Sequence, residues 1–431
     1  MIDPKLIVEN PELVAENNRK RGKPIDVSMA SRLAAERAKK IGKIDALRAR
    51  GNEIAEAIPT ASAEARPALA AEGKEVKEAA KALEAELGQI EAELAREVRM
   101  YPNILRADVP EGKDETGNVV LRTSMEPTTF DFEAKDHMEL ATALGMIDVE
   151  RAAKVSGARF AYFTGAAVQL ELALVQYALS ELMKEGFVPV LPPHIISTKA
   201  MAAMGYLDHG GEEEVYHLKN DDAVLIGTSE QAIGPMLMDE TLDAKDLPLR
   251  YVGISPCYRR EAGSYGKDTK GILRMHQFDK VEMFSFTKPE ESDAEHALIL
   301  SLQERLMQGL KLPYQVVALC SGDIGAPSAR TYDIETWMPG QNRYRETHST
   351  SNTTDFQTRR LNIRYKDPSA GSGGAGKAKG LAHALNGTAF AIGRILIAIL
   401  ENYQHKDGSV VVPVVLRQWM GTDVIHPKTF A

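Results

Sequence analysis

Residues 257–282 decide the fold of this chain: Cys-Tyr-Arg-Arg-Glu-Ala-Gly-Ser-Tyr-Gly-Lys-Asp-Thr-Lys-Gly-Ile-Leu-Arg-Met-His-Gln-Phe-Asp-Lys-Val-Glu. Two extended halves flank a connection rich in glycine and cations, which predicts an antiparallel strand pair joined by a long loop. Alternate residues of a strand share a face, so Arg259 is expected beside Glu261. On the returning strand, the residues expected to share a face are Arg274, His276, Phe278, Lys280 and Glu282.

That shared face combines three kinds of recognition chemistry. Arginine guanidinium groups match phosphate or carboxylate oxygens, the Phe278 ring can stack on a base, and the Glu282 carboxylate can accept an ammonium group. The combination indicates a site for a nucleotide and an amino acid. A charged edge hairpin on the surface is the alternative, because runs of charge are usually solvated.

The size and charge of the chain limit the classes of protein to which it can belong. At 431 residues it exceeds a typical single domain, which predicts two domains or one large domain with an extension. The formal net charge of -9 argues against nucleic-acid binding over the whole surface. Any such binding must therefore use a local basic patch.

Several features predict a cytoplasmic protein without a membrane segment. Cys257 and Cys320 have no spacing typical of a disulfide framework or a metal site, which favours a reducing compartment. The amino terminus has no basic flank followed by an apolar core and is unlike a secretory signal. The most apolar segment, residues 389–400, is interrupted by Arg394 and is shorter than the ~20 residues that span a bilayer.

The amino-terminal quarter differs in composition from the rest of the chain. From about Val27 to Met100 the sequence is rich in Ala, Glu, Lys, Arg and Leu, the composition of long helices or coiled coils. Apolar residues recur there at heptad spacings, and residues 59–62 interrupt the pattern. We therefore predict an antiparallel helical hairpin, each arm about 45 Å long at roughly 1.5 Å per residue. Residues 4–21 are expected to form one short amphipathic helix at its base.

The first arm of this hairpin is basic. Its cations are Arg37, Lys39, Lys40, Lys43, Arg48 and Arg50, with few acids between them. One side of the arm could meet a phosphate backbone, or these residues could be the solvated flanks of a coiled coil. The spacing alone favours neither interpretation.

A proline and an acidic, glycine-containing run mark the boundary to a second domain. They are Pro102 and residues 107–118, from which we predict domains 1–104 and 105–431, the second being α+β. Within it, residues 169–184 have the pattern of an amphipathic helix, and residues 186–193 that of a strand ending in prolines. Because prolines keep a strand at an edge or terminus, this strand could join a second subunit or be a plain edge.

Two further stretches of the second domain have a loop or turn pattern. Residues 224–230 form an apolar strand followed by Thr228 and Glu230, which could bind a ligand or cap a helix. Residues 369–380 are rich in glycine but lack the GxxxxGK[ST] pattern, so they predict a flexible loop and not a phosphate-binding loop.

The last third of the chain carries candidate ligands for a cation and for phosphate. Residues 332–337 predict a strand, and after it Glu346 and Ser349 offer oxygen ligands that suit Mg²⁺ together with waters and phosphates. His348 has no second His or Cys at metal spacing, which favours an ordinary polar loop histidine. Arg394 lies in an apolar helical segment, where it needs a bound phosphate or an ion pair with a glutamate.

Three separated blocks of this sequence resemble the motifs of bacterial-type seryl-tRNA synthetases, a class II family. The blocks are Arg259-Arg-Glu-Ala-Gly-Ser264 through Arg274-Met-His-Gln-Phe278 to Val281-Glu282, Tyr344-Arg-Glu346 through Ser351-Asn352 to Asp355-Phe-Gln357, and Leu385-Asn-Gly-Thr388 through Gly393-Arg394 to Glu401-Asn402-Tyr403. They are similar to the second class II motif, the metal loop of the serine enzymes and the third motif. The resemblance runs nearly end to end, from Met1 to Gly421.

The resemblance implies a fold, a reaction and partners. The fold is an antiparallel class II sheet flanked by helices, with an amino-terminal coiled-coil hairpin, and the protein is a homodimer joined through the helix and strand that end at Pro192-Pro193. Serine and ATP, with Mg²⁺, give seryl adenylate, and the seryl group then passes to tRNA(Ser), with the selenocysteine tRNA a further candidate substrate. The hairpin reaches the long variable arm of the tRNA. Its candidate contacts are Arg37, Lys40, Lys43, Arg48 and Arg50.

The resemblance also implies roles for individual residues. Those implied to bind serine are Thr228, Ser229, Glu230, Arg259, Glu282, Asn386 and Thr388. Those implied to bind ATP are Arg259, Arg260, Glu261, Arg274, Phe278, Glu346, Thr347, His348, Ser349 and Arg394. Among them Arg259 is expected at the α-phosphate, Arg274 and Arg394 at the outer phosphates, and Glu346 and Ser349 at Mg²⁺. The loop from Gly263 to Gly271 is expected to move over ATP and the tRNA acceptor end.

Two other functions remain as alternatives. One is a serine-activating relative that loads a carrier protein, and the intact hairpin counts against it because such relatives generally lack the hairpin. The other is an inactive RNA-binding relative. The joint presence of Arg259, Arg274, Glu282, Glu346 and Arg394 counts against that second alternative.

Overall fold

The computed structural model describes residues 1–208, 210–262, 271–367 and 380–428. They belong to two compact units, Met1–Ile104 and Leu105–Ala431. Nearly all of the loop expected to move over ATP, residues 263–271, and nearly all of the glycine-rich loop at 369–380 lie outside the described residues. Among the helices of the described ranges, none is both long enough and apolar enough to cross a bilayer.

The first unit is helical. Its helices are α1 (Pro4–Glu9), α2 (Pro11–Lys20), α3 (Ser28–Ala57) and α4 (Arg66–Val98). The helices α3 and α4 pack along each other as the expected hairpin, burying Ile44 and Ile54 of one arm and Leu94 of the other. Between them a 3-10 turn at Ile58–Thr60 ends the first arm. The second arm follows the proline-containing break that the sequence indicates.

The expectation of a single helix over residues 4–21 is wrong. Pro11 has no backbone N–H to donate, and the residue before a proline is disfavoured in the helical region. Asn10 accordingly leaves helical geometry, with φ -142° and ψ 61°. The segment therefore forms α1 and α2 as separate helices.

The second unit mixes helices and strands. Its helices are α5 (His137–Leu144), α6 (Val149–Ser156), α7 (Ala166–Leu182), α8 (Thr198–Met204), α9 (Glu230–Ile233), α10 (Ser292–Leu310), α11 (Phe356–Leu361), α12 (Ile392–Asn402) and α13 (Arg417–Met420). Its strands are β1 (Val119–Ser124), β2 (Ile147–Asp148), β3 (Tyr162–Phe163), β4 (Val188–Val190), β5 (Ile195–Ser197), β6 (Ala223–Leu225), β7 (Thr241–Asp243), β8 (Leu249–Tyr258), β9 (Gln277–Thr287), β10 (Tyr314–Ala318), β11 (Arg330–Met338), β12 (Arg343–Thr354), β13 (Arg364–Lys366), β14 (Gly380–Leu381), β15 (His383–Ala391), β16 (Val410–Val411) and β17 (Val424–Ile425).

The main sheet of the described residues has eight strands in the order β1-β10-β11-β12-β15-β9-β8-β4. Neighbouring strands are antiparallel except for β4, which lies parallel to β8 at one edge. The core packs α7, α10 and α12 against this sheet, with Leu174, Ile299 and Ile395 fully buried. The α+β antiparallel architecture expected from the sequence is confirmed.

The stretch that decides the fold lies in the middle of this sheet. The strands β8 and β9 pair as expected, with Tyr258 opposite Gln277, and β9 is also paired with β15. The alternative of an edge hairpin is therefore wrong. The expectation that Arg274 and His276 lie within the returning strand is also wrong, because the His276 N–H is donated to the Arg159 carbonyl (3.1 Å) and β9 begins only at Gln277.

Candidate active site

One cavity of about 750 Å³ lies where the segments after β6 and β8 meet β9, β12 and β15. Its volume lies within the range of small-molecule sites, roughly 300–1,000 Å³. The candidate site residues that line it are Thr228, Glu230, Arg259, Glu261, Arg274, Phe278, Glu282, Glu346, Thr347, Ser349, Asn386, Thr388 and Arg394. The residues that the motifs nominate are thus brought together from segments far apart in the chain.

The Glu282 carboxylate is held by neighbours on two strands. The period of two along β9 aims Phe278, Lys280 and Glu282 at the cavity. In the β9–β15 ladder Thr388 lies opposite Glu282, and its hydroxyl donates to Oε2 of Glu282 at 3.1 Å. The Lys280 ammonium is 2.6 Å from the same oxygen. No hydrogen bond from the described residues reaches Oε1, which remains for a ligand.

A second carboxylate, that of Glu230, lies next to the first. Glu230 begins α9 and is 2% exposed, and its Oε1 accepts a hydrogen bond from the Tyr206 hydroxyl. Burial, followed by the charge of Glu282, raises the pKa of Glu230 to about 7. The nearby Thr228 hydroxyl is buried without a hydrogen-bond partner among the described residues. Since α9 has no side-chain cap, the alternative of a helix-capping role for this turn is wrong.

Each of the three candidate phosphate arginines is held by a neighbour. The Arg259 guanidinium group lies 5.3 Å from the centre of the Phe278 ring, and its Nε donates to the Gly227 carbonyl at 3.2 Å. Arg274 is 2.7 Å from the Glu261 carboxylate. These contacts orient the first two guanidinium groups, and both line the cavity.

The third arginine, Arg394, forms an ion pair with a glutamate. This is one of the two partners expected from the sequence, the other being a bound phosphate. Its Nη1 lies 3.0 Å from the Glu346 carboxylate and donates to the Glu346 carbonyl at 2.9 Å. Both side chains line the cavity. The ion pair and a phosphate-binding role are therefore compatible, because the pair is placed at the ligand site.

A β-bulge explains how Glu346 and Ser349 reach the same cavity. Residues three apart on a regular strand point to opposite faces. In the β11–β12 ladder Ile334 pairs with His348 and Glu335 with Glu346, so Thr347 is an extra residue. Such an insertion re-aims the side chains that follow it. Both oxygen ligands thus face the cavity.

The buried carboxyl group of Asp333 is a further oxygen donor beside this pair. Asp333 lies opposite Ser349 in the ladder, and its buried Oδ1 has no hydrogen-bond partner among the described residues. Burial, and next the Glu346 carboxylate, raise the pKa of Asp333 well above its usual range. Hard divalent cations prefer such clusters of oxygen donors. The residues present therefore fit the Mg²⁺ that the resemblance implies.

Gln303 of α10 connects the two strands that carry these ligands. The β12–β15 ladder ends at the pair Thr350 and Gly387. Just beyond it, the Gln303 amide donates to the Ser349 carbonyl at 3.0 Å and to the Thr388 carbonyl at 2.8 Å. This buried side chain keeps the spacing between the strands where they separate around the cavity.

Three residues that the resemblance nominates lie outside the cavity lining. Ser229 is buried against Gly253 of β8. The two are so close that a Cβ atom added to Gly253 would come within 2.4 Å of the Ser229 hydroxyl. Arg260 is exposed and donates its backbone N–H to Glu214. His348 is 1% exposed and packs edge-on against Phe390 at 5.9 Å. The positions of these three residues do not support the prediction that they contact a ligand directly.

The interpretation of His348 as a polar loop residue is wrong. It belongs to β12, and its burial lowers the pKa of the imidazole to about 3. Tyr206 and Lys280 are among the cavity residues that the sequence did not nominate as ligands. The period of two along β9 could have indicated Lys280. Tyr206 belongs to a segment without any motif and reaches Glu230 only in the folded chain.

Four of the five candidate tRNA contacts in the hairpin are engaged with the other arm. Arg37 pairs with Glu91 at 2.9 Å, Arg48 with Glu84 at 2.9 Å, Arg50 with Glu72 at 2.7 Å, and Lys40 with Glu86. The fifth, Lys43, is exposed, and so is Lys39 four residues earlier. Neither lysine makes an ion pair within 4 Å in the described ranges. Surface pairs of this kind contribute little to stability, so a phosphate can compete for them.

Comparisons with known proteins give consistent findings over the whole chain. Residues 1–105 match the family described as Seryl-tRNA synthetase N-terminal domain, and residues 215–403 match tRNA synthetase class II core domain (G, H, P, S and T). The serine–tRNA ligase of Acidothermus cellulolyticus is 46% identical over 99% of this chain and 100% of its own length.

Two solved structures have the same fold and similar sequences. The seryl-tRNA synthetase of Pyrococcus horikoshii complexed with ATP superposes with a TM-score of 0.89 at 40% identity, covering 99% of this chain and 100% of its own. The cytoplasmic serine–tRNA ligase of Naegleria fowleri in complex with AMP superposes with a TM-score of 0.85 at 32% identity, covering 100% and 99%.

Proposed function

The chain belongs to the seryl-tRNA synthetase family, and on that premise we propose that it is a serine–tRNA ligase. It activates L-serine with ATP to seryl adenylate and then transfers the seryl group to the 3′ end of tRNA(Ser). One observation carries this proposal: a single cavity combines two buried carboxylates with three arginines and an aromatic ring. The carboxylates suit the amino acid, and the arginines and the ring suit the nucleotide.

Serine is recognised through its ammonium and hydroxyl groups. Together they offer four N–H or O–H donors, and the open acceptors are Oε1 of Glu282, Oε2 of Glu230 and the Thr228 hydroxyl. The serine carboxylate lies towards Arg259. Alanine would leave a buried acceptor unpaired, which costs about 1–3 kcal/mol and favours its rejection.

ATP is held by stacking and by charge. The adenine stacks on Phe278, Arg259 binds the α-phosphate, and Arg274 and Arg394 bind the outer phosphates. Adenylation needs no nucleophile from the protein, since the serine carboxylate attacks the α-phosphorus and pyrophosphate leaves as the α–β phosphoanhydride bond breaks. The arginines position the reacting groups and stabilise the charge that develops on the phosphate oxygens.

Glu346 and Ser349 are the residues that would hold Mg²⁺. Mg²⁺ held there would supply positive charge that offsets the charge of the phosphates. Arg394 now contacts the Glu346 carboxylate.

The hairpin and a second copy of the chain complete the ligase. The α3–α4 arm binds tRNA through Lys39 and Lys43, together with whichever paired cations phosphate can displace. The dimer forms through α7 and β4, with Leu172 of α7 61% exposed and Leu191, the residue after β4, 80% exposed. The protein acts in the cytoplasm, and its two free, buried thiols support that location.

Serine-dependent exchange of pyrophosphate into ATP tests the proposed activity. We expect exchange that requires serine and Mg²⁺ and that is strongly reduced when alanine or threonine replaces serine. A folded protein that binds ATP but catalyses no serine-dependent exchange would overturn the proposal. Charging of tRNA(Ser), and no transfer of serine to a carrier protein, is the expected second step.

A further inference from the structure

Lys280 is a buried lysine that the proposed reaction does not use. Its side chain is 9% exposed, and its ammonium group lies in the cavity 2.6 Å from Oε2 of Glu282. Burying a charged ammonium group is costly unless a partner compensates for the lost hydration. The strand period places Lys280 two residues before Glu282 on the same face of β9. Its burial therefore requires the carboxylates of the serine pocket.

Lys280 is a cation between two adjacent carboxylates. Glu230 and Glu282 repel each other across the pocket, and Lys280 favours the ionised form of Glu230. The other titratable or charged groups that act on this cluster are Tyr206, which donates to Glu230, and Arg259. Cys257, on the neighbouring strand β8, stays a thiol because burial raises its pKa to about 11.

One oxygen of each of the two carboxylates is bound by neighbouring side chains of the protein. Thr388 and Lys280 occupy Oε2 of Glu282, and Tyr206 occupies Oε1 of Glu230. The orientation of each carboxylate is thereby fixed, and one oxygen of each is left for a ligand. For Glu282 the stronger of the two contacts is the charged one, because hydrogen bonds between ions are roughly twice as strong as neutral ones.

We propose that Lys280 is a positioning residue of the serine pocket. Its ammonium group fixes the Glu282 carboxylate and offsets the repulsion between Glu282 and Glu230, so that their open oxygens accept the serine ammonium and hydroxyl groups. This inference rests on the proposed function. It assigns to Lys280 a role in serine capture and none in ATP binding.

Loss of the cation has a defined consequence. Two neighbouring buried carboxylates without a cation favour a state in which they share one proton. The shared proton occupies an oxygen that serine needs, and the proton must leave before serine binds. Because proton release becomes easier as the pH rises, serine capture should recover at high pH.

Three variants test this role. Lys280→Met removes the charge at similar volume, and Lys280→Arg keeps it. The matched control is Lys288→Met, which breaks a 3.2 Å pair with Glu291 on a lysine that does not line the cavity. Serine-dependent pyrophosphate exchange is measured from pH 6 to pH 9.5 for each protein, with separate KM values for serine and ATP.

For Lys280→Met we expect a serine KM raised about tenfold or more at pH 7, with the ATP KM unchanged. The acid limb of kcat/KM for serine should move up by roughly one pH unit, which corresponds to tenfold at a given pH on that limb. Lys280→Arg should restore most of the loss, and Lys288→Met should match the unaltered protein. A Lys280→Met profile with the parental pH dependence, or equal changes in both KM values, would overturn the inference.

Calorimetric titration of serine into the same proteins separates this inference from the proposed function. Serine binding that requires Lys280, in a protein without exchange activity, contradicts the ligase proposal alone. Serine binding that is indifferent to Lys280 contradicts the inference alone. If the unaltered protein binds no serine, both are wrong.

Discussion

Glu230 and Glu282 place two carboxylates side by side in a buried pocket. Such a pair costs free energy unless each carboxylate has partners. Lys280 and Thr388 serve Glu282, and the Tyr206 hydroxyl serves Glu230. These partners set the geometry of the pocket before any ligand arrives, which is what recognition of a small polar amino acid requires.

The substitution Tyr206→Phe should weaken serine binding without affecting ATP. It removes the donor to Glu230 and keeps the ring, and hydrogen bonds to charged groups contribute about 1.5–3 kcal/mol. We expect a serine KM roughly tenfold higher in pyrophosphate exchange, an unchanged ATP KM and poorer discrimination against alanine. The control is Tyr251→Phe, on a half-buried tyrosine of β8 outside the cavity lining. Equal behaviour of the two variants would exclude a role for Tyr206 in holding Glu230.

The sequence predicts motif residues well and their supporting contacts poorly. Thr388 and Glu282 belong to quoted blocks, and both line the cavity. Tyr206 lies 24 residues from Glu230 and has no distinguishing neighbours, so its contact exists only after α8, α9 and β9 have packed. His348 illustrates the reverse error, since a polar sequence neighbourhood hid a core position on β12.

At the scale of elements, the strand pair β8 and β9 was predictable because alternation and a loop signal coincide there. The bulge at Thr347 was not, because an extra residue in a strand is defined by its partner strand and leaves little trace in its own sequence. That bulge decides whether Glu346 and Ser349 share a face. Likewise, the boundary at Asn10 required weighing one proline against an otherwise continuous helical pattern.

The exposed apolar residues of α7 and β4 lead to a prediction about assembly. Leu172 of α7 is 61% exposed, and β4 is an edge strand of the sheet. Burying this face against a second copy would stabilise the dimer by about 25 cal/mol for each Å² of apolar area removed from water. We expect the unaltered protein to sediment as a dimer and Leu172→Lys as a monomer, since a lysine there would be desolvated at the interface.

The control for this prediction is Val120→Lys. Val120 is 49% exposed on β1, at the opposite edge of the sheet, and its substitution should leave the dimer intact. Analytical ultracentrifugation at micromolar concentration measures both variants. A Leu172→Lys protein that keeps the mass of the unaltered protein would contradict the assignment of α7 to the interface.

At the scale of the whole molecule, charges of opposite sign are distributed between the two arms of the hairpin. The arm α3 carries more Lys and Arg than acids, and α4 carries more Glu than cations. The pairs from Arg37, Arg48 and Arg50 to α4 glutamates neutralise much of the basic stripe. A net acidic chain can therefore still bind RNA at Lys39 and Lys43, provided that shape and a few phosphate contacts suffice.

Removal of the arm should separate the two steps of the reaction. The catalytic cavity lies entirely in the second unit, whereas residues 28–98 lie in the first. At the base of the hairpin the Tyr101 hydroxyl donates to the Asp26 carbonyl at 3.1 Å, so a short Gly-Ser linker can replace residues 27–100. We expect the deletion variant to retain serine-dependent pyrophosphate exchange within about twofold and to lose charging of tRNA(Ser). The double variant Lys39→Glu/Lys43→Glu, with the arm intact, should raise the KM for tRNA and leave exchange unchanged, because it removes phosphate contacts of the tRNA only. Each lost phosphate contact should also reduce the salt dependence of tRNA binding. Charging that survives the deletion would mean that the tRNA is held by the catalytic unit alone.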